Sequence, residues 1–137
     1  MTDGEPTSKP VLINATPQLF VSDIVASCDF FSRVLGFGVE FVYGEPPFYA
    51  QVIRDGASLA LRHVDRSVME KLAEAMKADV DMLTASVSVD DVQALYREFQ
   101  TAGVAFHQEL RKEEWGARTF IVRDLDGNLL LFAGSAD

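Results

Sequence analysis

The chain has one cysteine, Cys28, and two histidines, His63 and His107, among 137 residues. A single thiol closes no internal disulfide, and one Cys with two His cannot furnish the four clustered donors of a structural zinc site. Long apolar runs are missing too. No stretch approaches the roughly 18–20 apolar residues needed to cross a bilayer, and the opening MTDGEPTSKP lacks the apolar segment of a secretory leader, so a cytoplasmic location is expected. Basic residues are scarce: 12 Lys and Arg stand against 21 Asp and Glu, a formal charge of −9. That balance repels phosphate backbones and anionic membranes, and it suits a neutral or cationic small molecule as partner.

What is present is the composition of one globular domain, 48% hydrophobic and 24% charged. Residues 1–10 read as a polar N-terminal arm, and the domain spans 11–137. From Val11 to Val21 the β-branched and aromatic run predicts a strand in which Pro17 marks an edge position or a distortion. Ser22 and Asp23 offer an N-cap, and Ile24, Cys28, Phe31 and Leu35 then recur on one helical face until Gly36 supplies a stop. Cys28 on that face reads as a small core hydrophobe. Three strand-like runs follow (37–43, 48–54, 58–64), with Asp55-Gly56 as a hairpin signal. Ser67 with Glu70 forms a capping box that opens a connector helix from Val68 to Ala78, within 65–80.

The second half repeats this plan. Met82–Val89 predicts a strand, Asp90 or Asp91 a cap, Val92, Leu95, Tyr96 and Phe99 one helical face, and Gly103 a stop; strands are expected near 105–108, 118–123 and 129–133. Val21-Ser22-Asp23-Ile24 and Phe31 recur 68 residues on as Val89-Asp90-Asp91-Val92 and Phe99. Asp55-Gly56 recurs as Asp126-Gly127. Matched landmarks in the same order imply a duplication. The expected fold is α+β: two tandem βαβββ modules, 11–64 and 81–133, forming a curled mixed sheet with a cup-shaped cleft.

These residues carry a resemblance. Phe20-Val21-Ser22-Asp23-Ile24, Phe30-Phe31, Val34-Leu35-Gly36-Phe37, Val89-Asp90-Asp91-Val92, Ala102-Gly103-Val104, Trp115-Gly116 and Arg123-Asp124-Leu125-Asp126-Gly127-Asn128-Leu129 together resemble the vicinal oxygen chelate superfamily. That superfamily includes glyoxalase I, extradiol dioxygenases and bleomycin resistance proteins. The resemblance implies a U-shaped cup and a homodimer whose clefts draw on both chains. In the metalloenzymes, inward strand positions hold a divalent metal; the matching positions here are Thr16, Ala60, Thr84 and Leu131. Hydroxyl and alkyl groups do not replace imidazole and carboxylate donors, so no metal, cofactor or catalytic residue is assigned.

The resemblance then points to the metal-free, drug-binding members, which sequester bleomycin-type antibiotics unchanged. Trp115 matches the segment that carries a groove tryptophan, and Phe48 and Tyr49 stand where those proteins have a cleft aromatic. Flat rings offer a large apolar area and can stack on heteroaromatic ligands or face a cation. Alternation along the first strands turns Thr16, Gln18 and Phe20, and Thr84, Ser86 and Ser88, into the cup, with Ala15, Leu19, Val21, Ala85, Val87 and Val89 facing the helices. Counting from Ala60, Arg62 also points into the cup and His63 away. Leu131 lines the last strand, and Glu114, with Glu113 beside it, brings negative charge to the cleft mouth. The alternatives are a metal-dependent glyoxalase- or dioxygenase-type enzyme with shifted ligands, and a small-ligand sensor built on the connector helix.

Overall fold

The computed structural model describes residues 9–75 and 82–135. Module one consists of β1 (Gln18–Val21), α1 (Ile24–Arg33), β2 (Gly38–Tyr43), β3 (Tyr49–Arg54) and β4 (Ala57–His63). The helix α2 (Arg66–Ala75) follows. Module two consists of β5 (Leu83–Ser88), α3 (Val92–Thr101), β6 (Phe106–Lys112), β7 (Ala117–Arg123) and β8 (Leu129–Ser135). Each module is a four-stranded mixed sheet, ordered β1-β4-β3-β2 and β5-β8-β7-β6. The first strand runs parallel to the last of its module, and the other neighbours are antiparallel.

Local chemistry accounts for these elements. Asp23 and Asp91 cap α1 and α3, each carboxylate accepting the backbone N–H three residues on, from Ala26 and Ala94, at 3.0 Å. Such caps satisfy donors that the first helical turn leaves unpaired. The apolar stripe of each helix then covers one face of its own sheet. Ile24, Cys28, Phe31 and Leu35 meet Leu19, Leu59 and Leu61, while Val92 and Phe99 meet Phe120 and Phe132, and all belong to one continuous core. In module two, Phe120 and Phe132 stack with ring centroids 5.2 Å apart, and Phe99 meets both edge-on.

The structure departs from the sequence-based expectation in four places. The first strand begins at Gln18, not Val11: Ala60 donates to the carbonyl of Pro17 at 2.9 Å, and the ladder stops there because proline has no N–H to return. Val11, Leu12 and Ile13 are exposed, as is Ala15, which was expected in the core. The connector helix begins at Arg66, with Asp65 as the residue that precedes it and whose carbonyl accepts from Val68 and Met69, so Ser67 lies inside the helix and is not its cap. Its end, expected at 76–78, lies outside the described residues. Finally, β6 extends through Lys112, well past Gln108.

Besides the shared core, side-chain hydrogen bonds join the modules at two places among the described residues. At one, the Asp124–Asn128 turn reaches from module two to the end of β1. Asn128 donates its side-chain amide to the Phe20 carbonyl and to Asp124 Oδ2, both at 2.9 Å, and its Oδ1 accepts the Thr84 hydroxyl at 3.3 Å. Asp126 Oδ2 accepts the Ser22 N–H at 3.2 Å. Asp124 is buried, and its Oδ1 accepts the N–H groups of Asp126 and Asn128. At the pseudo-symmetric place, Asp55-Gly56-Ala57 has no asparagine to reach across. There Arg54 spans the gap instead, with Nη1 on the Leu35 carbonyl and a fork of two bonds, 2.8 and 2.9 Å, on the Glu98 carboxylate. The guanidinium lies against Gly36, whose φ is +77°, and a Cβ there would stand 2.8 Å from Nη1.

These joints yield two expectations. Asn128→Ala strips three bonds from a part-buried junction and should lower the unfolding free energy by about 2 kcal/mol in urea titration; a loss under about 0.5 kcal/mol would mean that the joint does not hold the modules. The Arg54 guanidinium holds the Glu98 carboxyl below its ordinary 4.5. The pair therefore stabilises the fold above that pH and loses its contribution as pH falls through the lowered value. Because Glu98 is 46% exposed, Glu98→Gln should cost under about 1 kcal/mol at pH 7. That difference should shrink below pH 4.5, and one that grew on acidification would contradict the pairing.

Candidate functional site

With the helical faces committed to the shared core, the other face of each sheet is left open. Strand register sorts its residues. In module one, Gln18 pairs with Ala60, Phe20 with Arg62, Tyr49 with Arg62 and Gln51 with Ala60, and β2 adds Phe41 opposite Gln51 and Tyr43 opposite Tyr49. All of these project from the face opposite the buried Leu19, Val21 and Leu61. Phe20 is 43% exposed, Phe41 41% and Tyr43 67%. The rings are organised: Phe41 and Tyr49 lie 5.9 Å apart, and the Arg62 guanidinium sits over Tyr49 at 6.0 Å. Beside them the Gln51 amide donates to the Ser58 hydroxyl at 2.8 Å.

The open face of module two differs in chemistry. Ser86 pairs with Leu131, Ser88 with Ala133, Ala133 with Thr119, and Ile121 with both Leu131 and Gln108. Here hydroxyls and aliphatic groups stand where module one has rings. Thr119 is buried, and its hydroxyl accepts from Gln108 Nε2 at 3.0 Å and donates to Glu113 Oε2 at 2.6 Å. The Thr119 and Arg111 bonds hold the Glu113 carboxyl below its ordinary value. At the tip of the β6–β7 hairpin, Glu114 is exposed and Trp115 is 75% exposed.

The expected binding residues thus separate. Gln18, Phe20, Tyr49 and Arg62 come together on the aromatic face, and Ser86 and Leu131 lie on the face of module two. Phe48 precedes the strand, its ring filling the space beside Gly44, where a Cβ would come within 2.2 Å of it, and meeting Tyr43 edge-on at the end of the aromatic face. Thr84 sits at a register shift in β5, where its hydroxyl serves the Asn128 joint. Thr16 lies before β1. With Ser86 it borders a different space, a cavity of about 1050 Å³ between the modules, floored by Phe37, Leu59, Phe99 and Phe132 and flanked by the Arg54–Glu98 pair. His63 lies on the helix side of β4, as alternation implied, in register with Val21.

Phe41, Tyr43, Gln51, Thr119 and Gln108 were not singled out from the sequence. Alternation along Gly38–Tyr43 carries the signal for the first two, since it places Phe41 and Tyr43 on one side. No such signal existed for Thr119 and Gln108, whose pairing depends on irregular register in β6. A divalent metal does not fit the family's ligand positions: Ala60 and Leu131 have no donor atom, Thr84 is engaged by Asn128, and Thr16 is off the sheet. Among the described residues no three His, Cys, Asp or Glu side chains cluster to hold a metal, and no described helix is long and apolar enough to cross a membrane.

The profile of the Glyoxalase/Bleomycin resistance protein/Dioxygenase superfamily matches residues 13–132. The chain belongs to this superfamily. Among solved structures, it is similar to the bleomycin-binding protein of the bleomycin-producing Streptomyces verticillus, solved with copper(II)-bleomycin, at 25% identity and a TM-score of 0.69, over 90% of this chain and 97% of that one. It is also similar in fold to a glyoxalase-related enzyme of Clostridium phytofermentans, at 17% identity, a TM-score of 0.71 and coverage of 92% and 97%. TioX of Micromonospora sp. ML1 matches at 23% identity, a TM-score of 0.65 and coverage of 89% and 99%. No curated protein matches the chain in sequence. Superfamily members of this fold thus include both binders and enzymes.

Because the rings on the open face of module one touch little of the core, they should be dispensable for folding. Tyr43→Ser is expected to leave the thermal unfolding free energy within about 0.5 kcal/mol, whereas Phe120→Ala in the core should cost about 3–5 kcal/mol. A comparable loss from both would make Tyr43 a structural residue.

Proposed function

We propose that this protein binds and sequesters, without chemical change, an antibiotic of the bleomycin type or a similarly bulky small molecule with flat rings. The observation that carries the reading is the solvent-exposed aromatic face of module one, where Phe20, Phe41, Tyr43 and Tyr49 gather around Arg62. A monomer that leaves such a face open carries a surface shaped for a ligand or partner. The similarity to a protein solved with copper(II)-bleomycin supports the ligand class, and the formal charge of −9 suits a ligand with a cationic group.

The two open faces are complementary in chemistry and point away from their shared core. In the proposed homodimer, the aromatic face of one copy stands opposite the hydroxyl-bearing face of the other, and each of two clefts is lined by both copies. The ring wall supplies stacking area, Arg62 and Gln18 supply donors, and Ser86 with the Trp115 turn closes the other side. No residue is assigned a catalytic role. Protection of a cell against the drug should then scale with the amount of protein.

The test is a titration with metal-free bleomycin that follows the emission of Trp115, the chain's one tryptophan. Saturation at one ligand per chain with intact drug recovered is the expected result. Trp115→Ala, read by calorimetry, should weaken binding by about 1–4 kcal/mol. Chemically altered drug after incubation would overturn sequestration, and the absence of any binding would remove this drug class.

A further inference from the structure

The turn that carries Trp115 is built around a carboxylate folded back beneath it. Glu113 and Gly116 close a β-turn, with the Gly116 N–H donating to the Glu113 carbonyl at 3.0 Å, and the Glu113 N–H donating to the Ala117 carbonyl at 2.7 Å. Gly116 takes the left-handed conformation, φ +99°, that such a hairpin end requires. Trp115 is therefore the third residue of a four-residue turn whose first residue is Glu113.

A glutamate at a hairpin tip ordinarily extends into water. The Glu113 side chain instead is only 12% exposed. Its Oε2 accepts the Thr119 hydroxyl at 2.6 Å and Arg111 Nε at 3.1 Å. The Thr119 hydroxyl is itself oriented by Gln108 Nε2 at 3.0 Å, and that nitrogen also approaches the Thr119 carbonyl at 3.3 Å. One side chain from β6 and one from β7 thus converge on one carboxylate oxygen of the turn. The next residue, Glu114, is exposed and takes no part.

Resting on the binding function proposed above, we infer that Glu113 is a positioning residue: through Thr119, Arg111 and Gln108 it holds the 113–116 turn in one geometry and so presents the Trp115 indole to the ligand. It need not touch the ligand. Holding the turn that carries the indole in one geometry before binding lowers the ordering cost of association. A mobile indole on the same turn would bind the same molecule more weakly.

The experiment reads the turn with and without ligand. In the free protein, Trp115 time-resolved anisotropy and iodide quenching are compared for the native chain, Glu113→Ala, Glu113→Gln, Thr119→Val and Glu114→Ala. Glu113→Ala and Thr119→Val should show added fast depolarisation of the indole in a chain that still unfolds cooperatively, with the melting temperature lowered only as far as the loss of a buried hydrogen bond implies. Glu113→Gln, which keeps an acceptor for Thr119, should restore most of the order, and Glu114→Ala should match the native chain. Metal-free bleomycin is then titrated by calorimetry, and Kd should rise at least tenfold for Glu113→Ala and less than threefold for Glu113→Gln. Unchanged anisotropy in Glu113→Ala would overturn the inference, whatever happens to Kd. So would equal loss of order in Glu114→Ala. Should the native chain not bind bleomycin, the ligand reading fails, while anisotropy and quenching still decide the role of Glu113.

Discussion

One side-chain amide anchors the joint at which the second half of this protein meets the end of β1. Asn128 spends both of its N–H groups and its carbonyl on three partners: the Phe20 carbonyl of module one, and Asp124 and Thr84 of module two. Because both amide N–H groups and the amide oxygen are engaged, the end of β1 is held against the start of β8. The helical faces of both sheets then share one core. Their other faces are left looking outward, and the aromatic candidates of module one stand there.

Duplication made the modules alike in topology and left them unlike in chemistry. The asparagine joint has no counterpart at Asp55-Gly56-Ala57, where the Arg54–Glu98 pair spans the gap and a cavity remains. The open faces diverge in the same way. Module one lines its face with rings around Arg62, and module two with serines, Leu131 and a carboxylate held by Thr119. A cleft built from one face of each kind offers stacking on one wall and hydrogen bonding on the other. Two identical walls would not discriminate a ligand with a flat side and a polar side so well.

Much of this was legible in the sequence because it rests on local periodicity. The helical stripe at Ile24, Cys28, Phe31 and Leu35, the caps at Asp23 and Asp91, and the alternation of Gln18, Phe20, Tyr49 and Arg62 onto one face are short-range properties. The losses came where tertiary contacts override local pattern. Val11–Val21 has strand composition throughout, yet Pro17 ends the ladder, and Thr16 falls outside it. Phe48 and Tyr49 are adjacent and similar, but Phe48 stays outside β3, where it packs beside Gly44 and against Tyr43. Glu113 and Glu114 were both expected to bring charge to the cleft mouth beside Trp115. It is Glu113 that turns inward, since only it reaches Thr119, and that choice depends on a register irregularity that no residue pattern reports.

In the proposed homodimer, one cleft takes its rings from one copy and its hydroxyl face from another. Mixing two defective variants tests it most directly: Tyr49→Ala damages only the first wall and Trp115→Ala only the second. Each alone should bind metal-free bleomycin weakly. After subunit exchange at equal concentrations, a mixed dimer holds one doubly damaged cleft and one intact cleft, so about a quarter of all sites should regain native affinity. If the mixture binds no better than its components, both walls belong to the same chain and the shared cleft is wrong.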